Sequence, residues 1–254
     1  MIELRHARGE TDDHLWAWLP AHRAICCGDL LTWVFPNAGN PQKVQRYPLE
    51  WAAALRAMSG LQPGLLLPAH GLPIAGQARI ARVLGEVASV LENLVRAVLD
   101  MMNAGSSLDE IIHTVKVPDE TLARPFLRPR YDEPEFVVRN IWRQYGGWWD
   151  GNPARLKPPP DSLVAADVAA LAGGVQALAH RAEATSDPRL ACQLAQWAVQ
   201  ADPGSAGAHA ARARVYRERK KGESSLMARA VFNDAAAQSG QHQASPTRSP
   251  ARGE

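Results

Sequence analysis

With 254 residues and 46% hydrophobic side chains, the chain has material for one large packed domain or two modest ones. Lysine and arginine number 28 against 26 aspartate and glutamate, a formal net charge of +2, so no global field draws the protein toward nucleic acid or an anionic membrane. The start, Met1-Ile2-Glu3-Leu4-Arg5-His6, lacks the basic and apolar pattern of a secretory signal and the apolar runs are shorter than a membrane span. The expectation is therefore a cytoplasmic protein with neither nucleic acid nor membrane as partner. Of the three cysteines, Cys26 and Cys27 are adjacent and poorly placed to bridge one another, so all three read as small apolar side chains rather than a disulfide scaffold.

The first eighty or so residues have the grain of an α/β layer. Leu15–Leu19 and Ala24–Cys27 are expected as strands joined through the short turn Pro20-Ala21-His22-Arg23. Leu49–Met58 follows Pro48, puts Trp51, Leu55 and Met58 on one face, and stops at Ser59-Gly60, as a helix does. It leads to a strand at Gly64-Leu65-Leu66-Leu67. Strand, helix and strand in this order make a parallel crossover, which directs chemistry to the carboxyl ends of the strands.

From Gln77 the period becomes helical, with Ile80, Val83, Leu84, Val87, Val90, Leu91, Leu94, Val98 and Met101 on one face until Gly105. Ser107-Leu108-Asp109-Glu110 is a capping box, and Pro134 suits the first turn of a helix over Phe136–Tyr145. Gly146 to Pro153 reads as a rigid aromatic loop, and Pro158-Pro159-Pro160 as a stiff connection. Residues 163–237 are alanine-rich helix-turn-helix units punctuated by Ser186-Asp187-Pro188 and Ala201-Asp202-Pro203, in the style of tetratricopeptide pairs. The expected division is 1–83 as an α/β portion, 84–238 as a helical domain and 239–254 as a disordered tail.

Three ionisable residues stand at glycine-marked turns of the α/β portion: Glu10 in Gly9-Glu10-Thr11, Asp29 in Gly28-Asp29, and His70 in Pro68-Ala69-His70-Gly71. Each alone suits a cap or turn. Together, at the ends of neighbouring strands, they have the donor types of a metal site. Asp12-Asp13-His14 is another possible metal cluster, its other use being to orient Glu10 or hold its turn by hydrogen bonds. The other histidines, at 6, 22, 113, 180, 209 and 242, are expected mostly at the surface.

The order Gly9-Glu10-Thr11, Gly28-Asp29 and Pro68-Ala69-His70-Gly71 resembles the second half of a metallo-β-lactamase-fold hydrolase, and more closely an alkyl sulfatase. Tyr131-Asp132-Glu133-Pro134-Glu135-Phe136 and Gly147-Trp148-Trp149-Asp150-Gly151-Asn152-Pro153 are similar to the signature of the alkyl sulfatase dimerisation domain. The fold this implies is α/β followed by all-α: a partial metallo-β-lactamase αββα layer, then a helical, tetratricopeptide-like dimerisation domain. The resemblance implies two zinc ions per complete site, with Glu10 on one, Asp29 bridging both and His70 on the second, and it makes Glu10 and Asp29 the catalytic carboxylates. Asn37, Asn40 and Arg46 fall where such enzymes hold sulfate. It implies zinc-activated hydrolysis of an alkyl sulfate by a homodimer. An apolar chain needs an apolar wall, for which Trp16, Trp18, Trp33, Trp148 and Trp149 are available; packing in the core is their other use.

Two features depart from that pattern. The bridging residue is Asp29 where the family has glutamate, one methylene longer. The His-x-His-x-Asp-His motif carrying the remaining ligands is absent from the 254 residues, which reads as a truncated chain. A non-catalytic helical dimerisation module is the alternative, as is a hydrolase of the same superfamily acting on a thioester, lactone or phosphoester.

Overall fold

A computed structural model describes residues 1–244. The α/β portion is a five-stranded sheet of β1 (Glu3–His6), β2 (Leu15–Leu19), β3 (Ala24–Thr32), β4 (Leu65–His70) and β5 (Ile74–Ala75), in that spatial order. β2 runs antiparallel to both β1 and β3, β4 runs parallel to β3, and β5 turns back on β4. β1, β3 and β4 therefore point the same way, and their carboxyl ends share one rim. The turn between β2 and β3 is closed by Arg23 in the left-handed region, φ 45°. The crossover from β3 to β4 passes through α1 (Pro48–Gly60), as the sequence pattern requires.

Two strands exceed their expected limits. β3 continues past Cys27 to Thr32 because Gly28, at φ +57°, forms a bulge that re-aims the strand without ending it. β4 continues to His70, so the histidine closes the strand. β1 and β5 are strands that the sequence reading did not anticipate; each is short, and pairing with a neighbour makes it a strand.

α2 (Gln77–Asn103) buries Ile80, Leu84, Leu91 and Val98 completely. α3 (Leu108–Thr114) begins at the expected capping box, with both reciprocal bonds between Ser107 and Glu110 formed. α4 (Asp119–Leu122) is a single turn, and α5 (Pro134–Gly146) starts at its proline. One continuous core runs from Trp16, Ile25 and Leu66 of the sheet through Trp51 and Leu55 of α1 to Leu84 and Leu91 of α2 and Val138 and Ile141 of α5. The compact units divide at Leu156 and Lys157, so the sheet and α1 to α5 lie in the first. The apolar stripe of α2 has the sheet layer and α5 as its cover, so sheet and first helices cannot be separated.

The second unit, from Lys157, contains α6 (Asp161–Leu171), α7 (Val175–Ala184), α8 (Pro188–Ala201), α9 (Ala206–Lys221) and α10 (Leu226–Ala244). The expected punctuation does its work: Asp187 caps α8 by accepting from Arg189 N and Leu190 N, at 2.9 and 2.8 Å, with Pro188 in the first turn. Buried Ala179, Ala198, Ala208 and Ala211 let these helices approach closely. His209 departs from its expected place at the surface: it is buried, its Nε2 donates to the Pro203 carbonyl at 2.9 Å, and Ser239 Oγ lies 3.1 Å from Nδ1. This bonding draws Ser239 inward, so α10 continues to Ala244 where a tail was expected from 239; residues 245–254 of that expectation lie outside the described residues. Among the described residues, no single helix is long and apolar enough to cross a membrane.

Leu91, at 0% exposure in the middle of α2, tests the continuity of the first core. Leu91→Ala should destabilise the protein by about 2–5 kcal/mol in urea unfolding followed by circular dichroism. A variant as stable as the parent would show that α2 does not belong to that core.

Candidate functional site

At the shared rim, the bulge at Gly28 turns Asp29 toward the end of β4. Only glycine serves here: a Cβ would come within 2.8 Å of His14 Nε2, besides requiring an unfavourable φ. His14 in turn contacts the Cys27 carbonyl at 3.3 Å. Asp29 Oδ1 lies 3.4 Å from His70 Nε2, close enough for an ion pair when the imidazole is protonated but not aligned as a hydrogen bond. That oxygen is therefore buried without a donor. Trp33 packs over Gly71 beside His70, and its Nε1 donates to Leu72 O at 2.7 Å.

Glu10 makes different contacts. The loop carrying it passes tightly over the core, with Gly9 wedged against Leu30 and Trp51 and its carbonyl accepting from Tyr47 N at 3.0 Å. Arg46, with only 5% of its side chain exposed, brings Nη1 to 3.0 Å from Glu10 Oε1. The same guanidinium donates to the Glu10 carbonyl, and Asn37 Nδ2 donates to the Glu10 carboxylate. Burial pulls the Arg46 pKa down against the fields of Asp132 and Tyr131. Arg46 Nε and Asn37 Oδ1 are both buried with no hydrogen-bond partner.

The segment carrying Asn37, Asn40 and Arg46 is fastened to α5 and the turn before it. Asp132, fully buried, accepts from Gly39 N at 2.6 Å and from Glu133 N at 2.7 Å. Gly39 rests on the backbone of Phe136 and Val137, where a Cβ would stand 2.1 Å from main-chain atoms. Asn140 accepts from Arg46 N at 3.2 Å and donates to Arg46 O at 2.9 Å, gripping that residue on both sides. Gln45 joins them, donating to Asn140 Oδ1 at 3.1 Å and accepting from Arg143 Nε at 3.0 Å. Asn40 faces another way: its Oδ1 accepts from Gln42 N, and the residue lines a cavity of about 200 Å³ with Arg139 and Arg143.

Of the sequence candidates, then, the structure brings Asp29 to His70 and Glu10 to Asn37 and Arg46, with Asn40 outside both groups. Among the described residues no set of three or more His, Cys, Asp or Glu is arranged to hold a metal ion. The physical reason is local: a buried guanidinium needs a counter-charge, and Glu10 supplies it. A cation would satisfy the orphaned Asp29 oxygen, and His70 offers a second donor of the right type, but two donors fall short of the four that zinc takes. Asp12 bonds the turn through its carbonyl, which contacts His6 Nε2 at 2.6 Å, and does not orient Glu10. Trp16 and Trp18 belong to the core, whereas Trp148 and Trp149 are exposed, leaving Trp33 as the tryptophan beside His70. Asp132 and Asn140 escaped the sequence reading. The signal for Asp132 was an acidic residue just before a proline-initiated helix, in a motif noted only for its resemblance.

Residues 107–242 match the family described as alkyl sulfatase dimerisation, which is more than half of the chain. The chain belongs to that family. A linear primary-alkylsulfatase from a Pseudomonas strain is 28% identical over 222 residues, covering 85% of this chain and 42% of the relative. An (R)-specific secondary-alkylsulfatase from Pseudomonas sp. is 28% identical over 80% of this chain and 32% of its own length. The solved structure of the stereoselective inverting sec-alkylsulfatase Pisa1 from Pseudomonas sp. superposes with a TM-score of 0.87 at 25% identity, over 97% of this chain and 40% of that one. The chain thus spans less than half the length of these relatives, and nearly all of it shares the architecture of Pisa1.

Burial dominates the ionisation of Asp132: two backbone donors and the Arg46 field lower its pKa, yet desolvation raises it from 3.8 to about 7. Between those values the folded chain binds more protons than the unfolded one. The stability this group contributes is complete below pH 3.8, declines as pH rises and is lost above about 7. Asp132→Asn abolishes the titration, so the melting temperature of the variant relative to the parent should climb with pH across that window. A constant difference in thermal scans from pH 4 to 8 would show that Asp132 stays ionised throughout.

Proposed function

We propose that the chain works as part of an alkyl sulfatase that hydrolyses the sulfate ester of an alkyl alcohol. The observation that carries this reading is the buried Arg46, whose Nε–H has no partner, paired with Glu10 at the end of the sheet that also holds Asp29 and His70. A buried guanidinium with an unused donor is costly unless an anion completes it, and a tetrahedral oxyanion suits arginine's planar fork. Similarity to enzymes named as primary and secondary alkylsulfatases gives that oxyanion the form of a sulfate ester.

In this proposal Asp29 and His70 would hold zinc together with Glu10, were its carboxylate released from Arg46, and Glu10 and Asp29 would be the catalytic carboxylates. Bound zinc supplies a water acidified toward neutrality and offsets charge on the ester. The remaining ligands are those of a His-x-His-x-Asp-His segment, which the 254 residues do not contain. Arg46 orients the sulfate through its guanidinium, Asn37 does so through the Nδ2 that Glu10 would release, and Trp33 offers an apolar face beside His70. The protein is proposed to be a homodimer, cytoplasmic, with the alkyl sulfate as its small-molecule partner.

A second reading, a non-catalytic dimerisation module, is favoured by one observation: the family match begins at residue 107 and includes none of Glu10, Asp29 and His70. Zinc content and sulfate release from a medium-chain alkyl sulfate separate the two, measured on this chain and on the chain joined to an amino-terminal segment carrying the missing motif. The joined protein should retain zinc and release sulfate, and Asp29→Asn should lose both. Sedimentation as a dimer with neither zinc nor turnover in the joined protein would favour the module instead.

A further inference from the structure

Arg46 reaches the rim from a segment with no regular structure, yet its direction is fixed from below. Asn140 binds both its amide and its carbonyl, at 3.2 and 2.9 Å, so the Arg46 peptide groups cannot rotate without breaking a buried bond. At the other end of the segment, Asp132 holds Gly39 N at 2.6 Å, and Gly39 lies so close to the α5 backbone that the chain has one seat there. Between these two anchors stand Asn40 and the turn to Arg46. Neither Asp132 nor Asn140 points an unpaired donor at the rim: the oxygens of Asp132 are taken by two amides, and Asn140 is engaged with Gln45 and Arg46.

We propose that Asp132 and Asn140 are positioning residues, which set the Arg46 guanidinium so that its unpartnered Nε–H meets an incoming oxyanion. The identity of the anion as a sulfate rests on the function proposed above; the anchoring of the segment does not. Charge gives the two effects opposite signs. Above about pH 7, where it is ionised, Asp132 is an anion near a proposed anion site and its field alone repels sulfate, so in a titration at pH 8 removing its charge would tighten binding if electrostatics were its whole contribution. If Asp132 acts by holding the segment, Asp132→Asn weakens binding, because the new amide must turn an N–H toward one of the two backbone N–H groups that the carboxylate accepted.

The test is a titration of the 254-residue chain with sodium sulfate at pH 8, following the Arg46 Nε–H resonance by heteronuclear NMR, with amide exchange recorded in parallel. In the parent the resonance should shift and saturate, and Arg46→Lys should remove it. Asp132→Asn and Asn140→Ala should each need about tenfold more sulfate or greater, with an unchanged far-UV circular dichroism spectrum. Amides of residues 37–46 should exchange faster in both variants while those of β3 and α2 keep their protection. Sulfate binding by Asp132→Asn as tight as the parent, or tighter, would overturn the proposal. Should the parent resonance ignore sulfate, the sulfate-ester reading is what fails; unchanged exchange over residues 37–46 in the variants would then reject the positioning role as well.

Discussion

A buried carboxylate just before a helix fixes the working edge of this protein. Asp132 lies under α5 with no exposure to solvent, yet both its oxygens accept from backbone amides, one of them from Gly39, 93 residues earlier in the chain. Burial of such a group is costly and the raised pKa is its trace, but the two bonds keep an irregular segment in a single path. Removing the anchor loosens the end of the stretch that carries Asn37 and Asn40, because no helix or strand lies between β3 and α1 and Asn140 grips only the Arg46 end. The helix on the far side of the core is thus part of the rim's construction.

Charge at that rim is arranged in two groups, each incomplete in a different way. Glu10 and Arg46 neutralise each other, and the guanidinium keeps an idle donor. Asp29 and His70 approach across the β3–β4 ladder, and the carboxylate keeps an idle acceptor. An unused buried donor and an unused buried acceptor are expensive to maintain, and they ask for ligands of opposite sign: an oxyanion at the first, a cation at the second. The proposed metal-assisted ester hydrolysis rests on that pairing of demands.

The alanine-rich unit follows a simpler logic. Its core is made of side chains too small to leave room for misfit, so a polar group admitted there must be fully bonded. His209 meets this condition: the Pro203 carbonyl can only accept, which places the proton on Nε2, and Ser239, itself receiving a bond from Arg212 at 2.8 Å, can donate to Nδ1. His242 stacks on the ring at 4.2 Å, which ties the last helix to α9.

Elements governed by neighbours in sequence could be read without a structure. The helical period of residues 80–101, the capping box at Ser107 and Glu110, the prolines that open α1, α5 and α8, and the strand-helix-strand crossover all depend on local backbone and periodicity rules, and all appear. The candidacy of Glu10, Asp29 and His70 was legible as ionisable groups at glycine-marked turns by the strands, whereas Arg46 entered only through the family resemblance. Which of them meet was decided by tertiary structure alone. A bulge at Gly28 kept β3 running and aimed Asp29 at His70, while Arg46, buried by Asn140 and needing a counter-charge, took Glu10. Partners 36 and 41 residues apart compete through burial and Coulomb energy, and neither quantity exists until the chain has folded around them.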